Sequence, residues 1–290
     1  MDEPLYVTTG GILYWIAILA LVLGLVPAFL LCKKKGSKFT FRFILVLYWF
    51  NFALHFLKQL MPGYINIFPE YLVRSSAENF CALFVMIAPF LLLSKKKIAY
   101  DYLFYMGIIS SLGAYFNPTA PATSDLRTIE GIFETTRYYV CHMPLLYGAV
   151  LMMAGGLHKL DYKRFWITPF NIFLACAICF VNCILVNAIF HNWDWSLLLN
   201  RDNGFMNASF QLGPGTSFDE TLGFLYPYLM NTIQIYYNAQ GELCFTPVLW
   251  TLPMFYLIAP FVFLILCLPF EHRHIKEDLL ASPFRGRINR

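Results

Sequence analysis

Two side chains in this sequence, Cys81 and His142, are of the types that perform nucleophilic chemistry together. A thiol becomes a competent nucleophile when a neighbouring imidazole takes its proton or stabilises the thiolate. Glu78 and Asn79 come just before Cys81, and Tyr138 lies one helical turn before His142. Held close together, Cys81 and His142 would form a nucleophile and its general base. Whether they lie close together depends on the structural elements that carry them.

The composition indicates a helical membrane protein. The chain is 59% hydrophobic, 18% aromatic and 13% charged, whereas an average soluble protein is about 25% charged. This excludes a soluble enzyme, a disordered chain and a nucleic-acid binder. A transmembrane helix needs about 20 apolar residues. Seven such segments are present, at about 12–31, 41–58, 77–93, 98–116, 137–155, 166–190 and 246–268. We expect an all-α membrane protein, a bundle of seven transmembrane helices.

The basic residues predict the orientation of these helices, because Lys and Arg concentrate in cytoplasmic loops. If the N-terminus is outside, 16 of the 21 basic residues lie inside, in 33–42, 95–97, 159–164 and the tail. The five that remain outside are Lys58, Arg74, Arg127, Arg137 and Arg201. This alternation predicts an N-terminus outside and a cytoplasmic C-terminus.

The predicted spans also define the domain organisation. Residues 1–270 form a single membrane domain with one long outer loop at about 191–245, and residues 271–290 form a basic cytoplasmic tail. We expect an integral, multi-pass membrane protein, located in the plasma membrane if the chain is bacterial. The sequence does not indicate an oligomeric state.

Polar side chains inside the membrane are informative because each charged one costs about 2.5–3.5 kcal/mol on insertion scales. Counted along the helices, several lie in the outer third of the bilayer: His55, Glu78, Asn79, Cys81, Cys141, His142 and Asn187. Cys81 and His142 have equal depth, so neighbouring helices would bring them into contact. Tyr138 shares a helical face with His142 and would orient it. Glu78 fits a proton relay, a substrate-binding carboxylate or an interfacial partner of Arg74.

Several alternative interpretations remain open. Cys81 also fits a packing role, because cysteine is a common small residue in apolar helices. Cys176, Cys179 and Cys183 recur on one helical face and favour a buried stripe over a metal site. No metal and no cofactor are predicted. A sensor with seven helices remains possible, but 246–270 contains no Lys for a retinal Schiff base. The scarcity of midplane charges and the lack of an inverted repeat argue against a transporter.

Short motifs along the chain resemble the YwaF-like integral membrane family, which includes the vertebrate transmembrane protein 164. The stretch 76–90 (SAENFCALFVMIAPF) resembles that family's Leu-Pro-Leu-His-Leu-Cys segment. Asn117-Pro118-Thr119 and the run 137–142 (RYYVCH) are similar to its Thr-Pro loop and to an aromatic run that ends in Ser-His. Residues 182–187 resemble its paired Asn motif. In the family's Cys segment a His and a Pro stand where this chain has Asn79 and Ala77.

This resemblance implies a function. The vertebrate relative is described as a phospholipid acyltransferase that uses a Cys and a His, which correspond here to Cys81 and His142. The implied reaction is acyl transfer through a thioester, with a membrane phospholipid or lysophospholipid as partner. Asn79, Asn187 or a backbone amide would stabilise the oxyanion, and Glu78, Tyr138 and His55 would support the site. The alternative is a seven-helix protein that binds, senses or translocates lipid without chemistry.

Overall fold

A computed structural model of the protein describes residues 3–67, 70–164, 166–198, 200–203 and 206–281. Within these residues, seven helices of 15 residues or more follow one another along the chain. They are α1 (Ile12–Lys35), α2 (Ser37–Leu57), α3 (Phe80–Ser94), α4 (Lys97–Phe116), α5 (Ile129–Ala154), α6 (Ile167–Phe190) and α7 (Ala259–Ala281). Each overlaps one of the predicted apolar segments. The prediction of a mainly helical protein is therefore confirmed.

Four helical stretches of the described chain are long and apolar enough to cross a membrane. They are Ile12–Lys35, Ser37–Leu60, Ile167–Phe190 and Leu249–Asp278. The helix α3 is apolar but shorter. The helices α4 and α5 carry more polar side chains because they pack inside the bundle, where Asp101, Ser111 and Thr135 are buried. With the composition of the chain, these helices define an integral membrane protein.

The core of the bundle is built around α4 and α5, which make the most extensive contact between any two helices of the described chain. Gly107 permits their close approach, since a Cβ atom there would lie 2.6 Å from the carbonyl oxygen of Leu145. Small residues at helix interfaces commonly serve this purpose in membranes. The Tyr147 hydroxyl of α5 donates to the carbonyl oxygen of Leu21 at 2.7 Å and so attaches α1.

Capping residues explain where two helices begin. The predicted fifth segment starts at residue 137, but α5 begins at Ile129 because the Thr128 side chain accepts the Gly131 N–H. An N-cap of this kind satisfies a backbone donor that has no partner within the helix. The helix α3 begins at Phe80 rather than 77, because the Asn79 side chain accepts the Ala82 N–H at 2.9 Å.

The last helical stretch differs most from its prediction. A 3-10 turn (Leu249–Thr251) and a π-helical turn (Met254–Ile258) precede α7, which continues to Ala281. The helix therefore runs into the segment predicted as a tail, and residues 282–290 lie outside the described residues. Its extension is attached to the loop before α6, where Lys163 forms an ion pair with Asp278 at 2.6 Å.

The long segment between α6 and α7 has structure of its own. It contains two single helical turns (Trp195–Leu198 and Asp219–Leu222) and an antiparallel hairpin of β1 (Ile235–Tyr237) and β2 (Leu243–Phe245). The hairpin was not predicted. The segment also covers the start of α3, since the Ser209 hydroxyl accepts the Phe80 N–H at 2.9 Å.

Candidate active site

A cavity of about 1190 Å³ lies at the end of the bundle that is covered by this segment. Its wall is formed by the ends of α2, α3, α4 and α5, by the loop between α4 and α5, and by the start of the last helical stretch. Six of the seven predicted site residues line it: His55, Glu78, Asn79, Cys81, Tyr138 and His142. The cavity therefore brings together side chains that are far apart in the sequence.

Cys81 occupies the first turn of α3. Its thiol lies 4.0 Å from the carbonyl oxygen of Ser110 on α4, which is a long contact for a thiol donor. The neighbouring N–H groups of that turn are satisfied, Phe80 by the Ser209 hydroxyl and Ala82 by the Asn79 side chain. Among the described residues, no acceptor takes the N–H of Cys81 itself. Cys81 lines the cavity, and its backbone N–H is available as a donor.

His142 is held in one defined protonation pattern. Its Nδ1 lies 2.6 Å from the carbonyl oxygen of Tyr138, one turn earlier in α5. A carbonyl oxygen only accepts hydrogen bonds, so Nδ1 carries a proton and the lone pair of the neutral ring is on Nε2. The ring also packs on that of Tyr138, with centroids 4.5 Å apart. This is the form of the ring that acts as a general base.

The helix α4 connects the two residues. Ser111 donates its hydroxyl to the carbonyl oxygen of His142 at 3.1 Å, while the carbonyl of the adjacent Ser110 receives the Cys81 thiol. Consecutive residues of one helix therefore contact both members of the pair. The Tyr138 hydroxyl adds a further link by donating to the carbonyl of Ala114 at 3.0 Å. Both residues therefore contact α4, while among the described residues no hydrogen bond joins the Cys81 thiol to the His142 ring.

The other predicted residues have identifiable partners. Glu78 is buried and forms an ion pair with Arg74 at 3.1 Å, the interfacial arrangement that their spacing allows. Asn79 caps α3 with its side-chain oxygen. Asn187 does not line the cavity: it is buried in α6 and donates to the carbonyl of Asp194 at 3.1 Å. It therefore holds the end of α6 and is not among the residues that line the cavity with Cys81.

Sequence reasoning missed a cluster of charged residues in the lining of the cavity. Arg137 pairs with Glu134, and the Tyr64 hydroxyl donates to the same carboxylate at 3.0 Å. Lys58 is also part of this wall and is only 3% exposed. Both cations were predicted to lie outside the membrane as ordinary loop-end residues. The signal in the sequence was the i, i+3 spacing of Glu134 and Arg137 beside a predicted span.

Another part of the cavity lining is apolar. Met254, Ile258 and Val262 recur every fourth residue along the last helical stretch, are exposed, and line the cavity. Phe263 on the same stretch is fully buried. A ligand in the cavity would therefore meet charged groups, the side chains of Cys81 and His142, and the apolar side chains beside α7. Such a distribution fits an amphipathic molecule.

Fold and site define a helical integral membrane protein with a cysteine–histidine wall in a cavity between its helices. The family model of the TMEM164 family matches residues 6–268, and the chain belongs to that family. Membership agrees with the motif resemblance to relatives of vertebrate transmembrane protein 164. No curated protein and no solved structure matches the chain.

Proposed function

We propose that this protein is a membrane-embedded phospholipid acyltransferase in which Cys81 is the nucleophile and His142 the general base. The observation that carries the proposal is the shared cavity wall on which both residues lie, with the lone pair of His142 on Nε2. The resemblance to a relative described as a Cys- and His-dependent acyltransferase supports the same assignment. The apolar wall beside α7 provides room for an acyl chain.

In the first half-reaction, the Cys81 sulfur attacks the carbonyl carbon of a phospholipid ester while its proton passes to His142 Nε2. A C–S bond forms and the carbonyl π-electrons move to oxygen. The C–O ester bond then breaks, and His142 returns the proton to the departing alkoxide. The products are an acyl thioester on Cys81 and a lysophospholipid.

In the second half-reaction, a hydroxyl of the acceptor lipid gives its proton to His142 Nε2 and attacks the thioester carbonyl. The C–S bond breaks, the acyl group is transferred to oxygen, and the proton returns to the thiolate of Cys81. The N–H of Cys81 is the donor best placed to stabilise the oxyanion in both halves, because the neighbouring first-turn donors are already bonded. Asn187 does not line the cavity and therefore does not stabilise the oxyanion.

The proposal includes a topology of seven crossings, with the N-terminus outside and the C-terminus in the cytoplasm. The positive-inside distribution supports this orientation. The N-terminal segment also pairs with the loop between α4 and α5: Val7 donates to Pro121 and Leu126 donates to Leu5. That loop lines the cavity, so the N-terminus and the cavity are at the same end of the bundle. The site then lies toward the outer leaflet of a multi-pass protein, in the plasma membrane if the chain is bacterial.

The proposal is tested by acyl transfer between lipids. Purified protein in vesicles receives a phospholipid with an isotope-labelled acyl chain and an unlabelled lysophospholipid, and labelled product is measured by mass spectrometry. We expect turnover in the wild type, none in Cys81→Ala, and near wild-type turnover in Cys141→Ala. Cys141 is the matched control because its buried thiol lines the same cavity. Equal activity of all three proteins, or no turnover although lipid still binds, would contradict the enzyme and favour a lipid-binding protein.

A further inference from the structure

Lys58 is a buried cation that the acyl-transfer mechanism does not use. It directly follows α2, is 3% exposed and lines the cavity. Its Nζ donates to the carbonyl oxygen of Arg74, and no carboxylate oxygen of the described side chains lies within ion-pair distance. Removing a charge from water without a directly paired counter-ion is unfavourable. A buried ammonium on a cavity wall therefore fits an anion that enters the cavity.

The surrounding charges are consistent with such a ligand. Arg137 and Lys58 flank one aromatic ring, with the Arg137 Cζ 5.8 Å and the Lys58 Nζ 5.7 Å from the ring centroid of Tyr64. The two buried carboxylates of this cluster are bonded to arginines, Glu134 to Arg137 and Glu78 to Arg74. Among the described side chains of this cluster, three cations thus meet two carboxylates, and Lys58 is the cation with no directly paired carboxylate.

Two further carboxylates line the cavity, and neither neutralises Lys58. Asp125 accepts the N–H groups of Leu5 and Arg127, and the Glu130 side chain is exposed to solvent. Both carboxylates are in contact with solvent, which screens their charges.

A second, independent feature points to a polar ligand at the same place. His55 lies one turn before Lys58 on α2, is 5% exposed and lines the cavity. Its Nε2 is buried and has no hydrogen-bond partner among the described atoms. Buried polar atoms in native proteins are nearly always hydrogen-bonded. An oxygen atom of a ligand beside Lys58 would satisfy this nitrogen.

The position of Arg137 along α5 is consistent with one kind of anion. Arg137 precedes His142 by five residues, a helical rise of about 7.5 Å. This rise along the helix axis is of the same order as the glycerol linkage between the phosphate of a glycerophospholipid and its acyl ester. We infer that Lys58 and Arg137, with His55, bind the phosphate of the lipid headgroup and thereby place the ester at Cys81. This inference rests on the proposed function, since it assigns a second part of the same site.

The test measures binding in the Cys81→Ala background, so that it does not depend on turnover. Affinities of phosphatidylcholine and of diacylglycerol with the same acyl chains are measured by native mass spectrometry. The two lipids differ in the phosphorylated headgroup and share the ester groups. Lys58→Met is compared with Lys58→Arg, which keeps the charge, and with Lys34→Met, an exposed lysine at the other end of the bundle. Thermal melting checks that each variant is folded.

Lys58→Met should lower phosphatidylcholine affinity about tenfold, the loss of one charge-assisted hydrogen bond, and leave diacylglycerol affinity unchanged. Lys58→Arg and Lys34→Met should retain the preference for the phosphorylated lipid. An unchanged preference in folded Lys58→Met would overturn the inference. A second arm adds inorganic phosphate alone: stabilisation that depends on Lys58, with phospholipid binding that does not, would assign the site to free phosphate instead. If the protein shows the expected binding pattern but no turnover, the acyltransferase activity is rejected and the phosphate site is retained.

Discussion

The imidazole of His142 donates its Nδ1 proton to the carbonyl oxygen of Tyr138, 2.6 Å away and one turn earlier in the same helix. The bond leaves the lone pair on Nε2 and fixes the plane of the ring, while the Tyr138 ring packs against it. Tyr138 thus affects His142 through its backbone and its ring, and its hydroxyl bonds separately to Ala114. These contributions can be separated by mutation.

Tyr138→Phe should leave acyl transfer within a few-fold of wild type, because it keeps the carbonyl acceptor and the aromatic ring. It should cost about 1 kcal/mol of stability through loss of the hydroxyl bond. Tyr138→Ala removes the ring and should lower kcat at least tenfold with little change in KM. The measurements are steady-state kinetics and thermal melting in detergent. A kcat in Tyr138→Ala equal to that of Tyr138→Phe would show that the ring does not orient His142.

Asn79 stands where the family's Cys segment has a His, and the structure gives it the role of helix cap. Asn79→Ala should destabilise the protein by about 1 kcal/mol, because the Ala82 N–H loses its acceptor. Asn79→Ser should retain most of that stability, since serine is also a good N-cap. Melting temperatures of the two variants test this. Equal melting temperatures of Asn79→Ala and the wild type would show that the cap contributes little to stability.

Gly107 and Gly113 on α4 form a matched pair for testing the central helix contact. A methyl group at Gly107 would meet the carbonyl oxygen of Leu145 at 2.6 Å, whereas one at Gly113 would meet no atom within 4 Å. Gly107→Ala should therefore cost about 1–3 kcal/mol. Gly113→Ala should be neutral or stabilise by up to about 1 kcal/mol through better helix propensity. Thermal melting that shows the opposite order would refute the close packing of α4 on α5.

The ion pair between Arg201 and Asp219 predicts a pH dependence in the segment that covers the cavity. The Arg201 guanidinium donates to both oxygens of Asp219 and holds the pKa of that carboxyl below its usual value. A pKa that is lower in the folded state stabilises the segment above the unfolded pKa, about 3.9. That contribution is lost as the pH falls through the folded pKa.

The expected contribution is below about 1 kcal/mol, because Asp219 is partly exposed. Hydrogen exchange of residues 206–248, corrected for intrinsic rates, should show protection that falls between about pH 5 and about pH 2. Asp219→Asn should lose part of that protection at neutral pH and show a smaller change with pH. An identical pH profile in the wild type and Asp219→Asn would contradict a stabilising role of the pair.

The positions of the helices could be predicted because apolar length dominates their sequence signal. The fourth and sixth predicted segments, 98–116 and 166–190, agree with α4 and α6 to within one residue at each end. The start of α5 was missed by eight residues, because its first turns carry Glu130 and Glu134 and lie beyond the apolar part. The hairpin of β1 and β2 was missed because two strands of three residues have no periodicity to detect.

The site could be predicted only in part, for a related reason. The predicted depth along the helices identified Cys81 and His142 as candidates, because an ionisable side chain is unusual in an apolar segment. Lys58 and Arg137 could not be recognised, because a basic residue at the end of a span looks the same whether it faces water or a cavity. Asn187 was placed at the site by depth alone, but its side chain is directed at Asp194. Depth gives no information on which helices are neighbours.

The central claim, that Cys81 forms an acyl thioester with the help of His142, is tested most directly by intact-protein mass spectrometry after incubation with phospholipid. We predict an adduct of one acyl chain on the wild type, removed by hydroxylamine, retained in Cys141→Ser, and missing from Cys81→Ser and His142→Ala. Variants are compared at equal lipid content and after a melting check. An adduct that persists in folded Cys81→Ser, or a wild type that carries none while turning over lipid, would contradict the thioester mechanism.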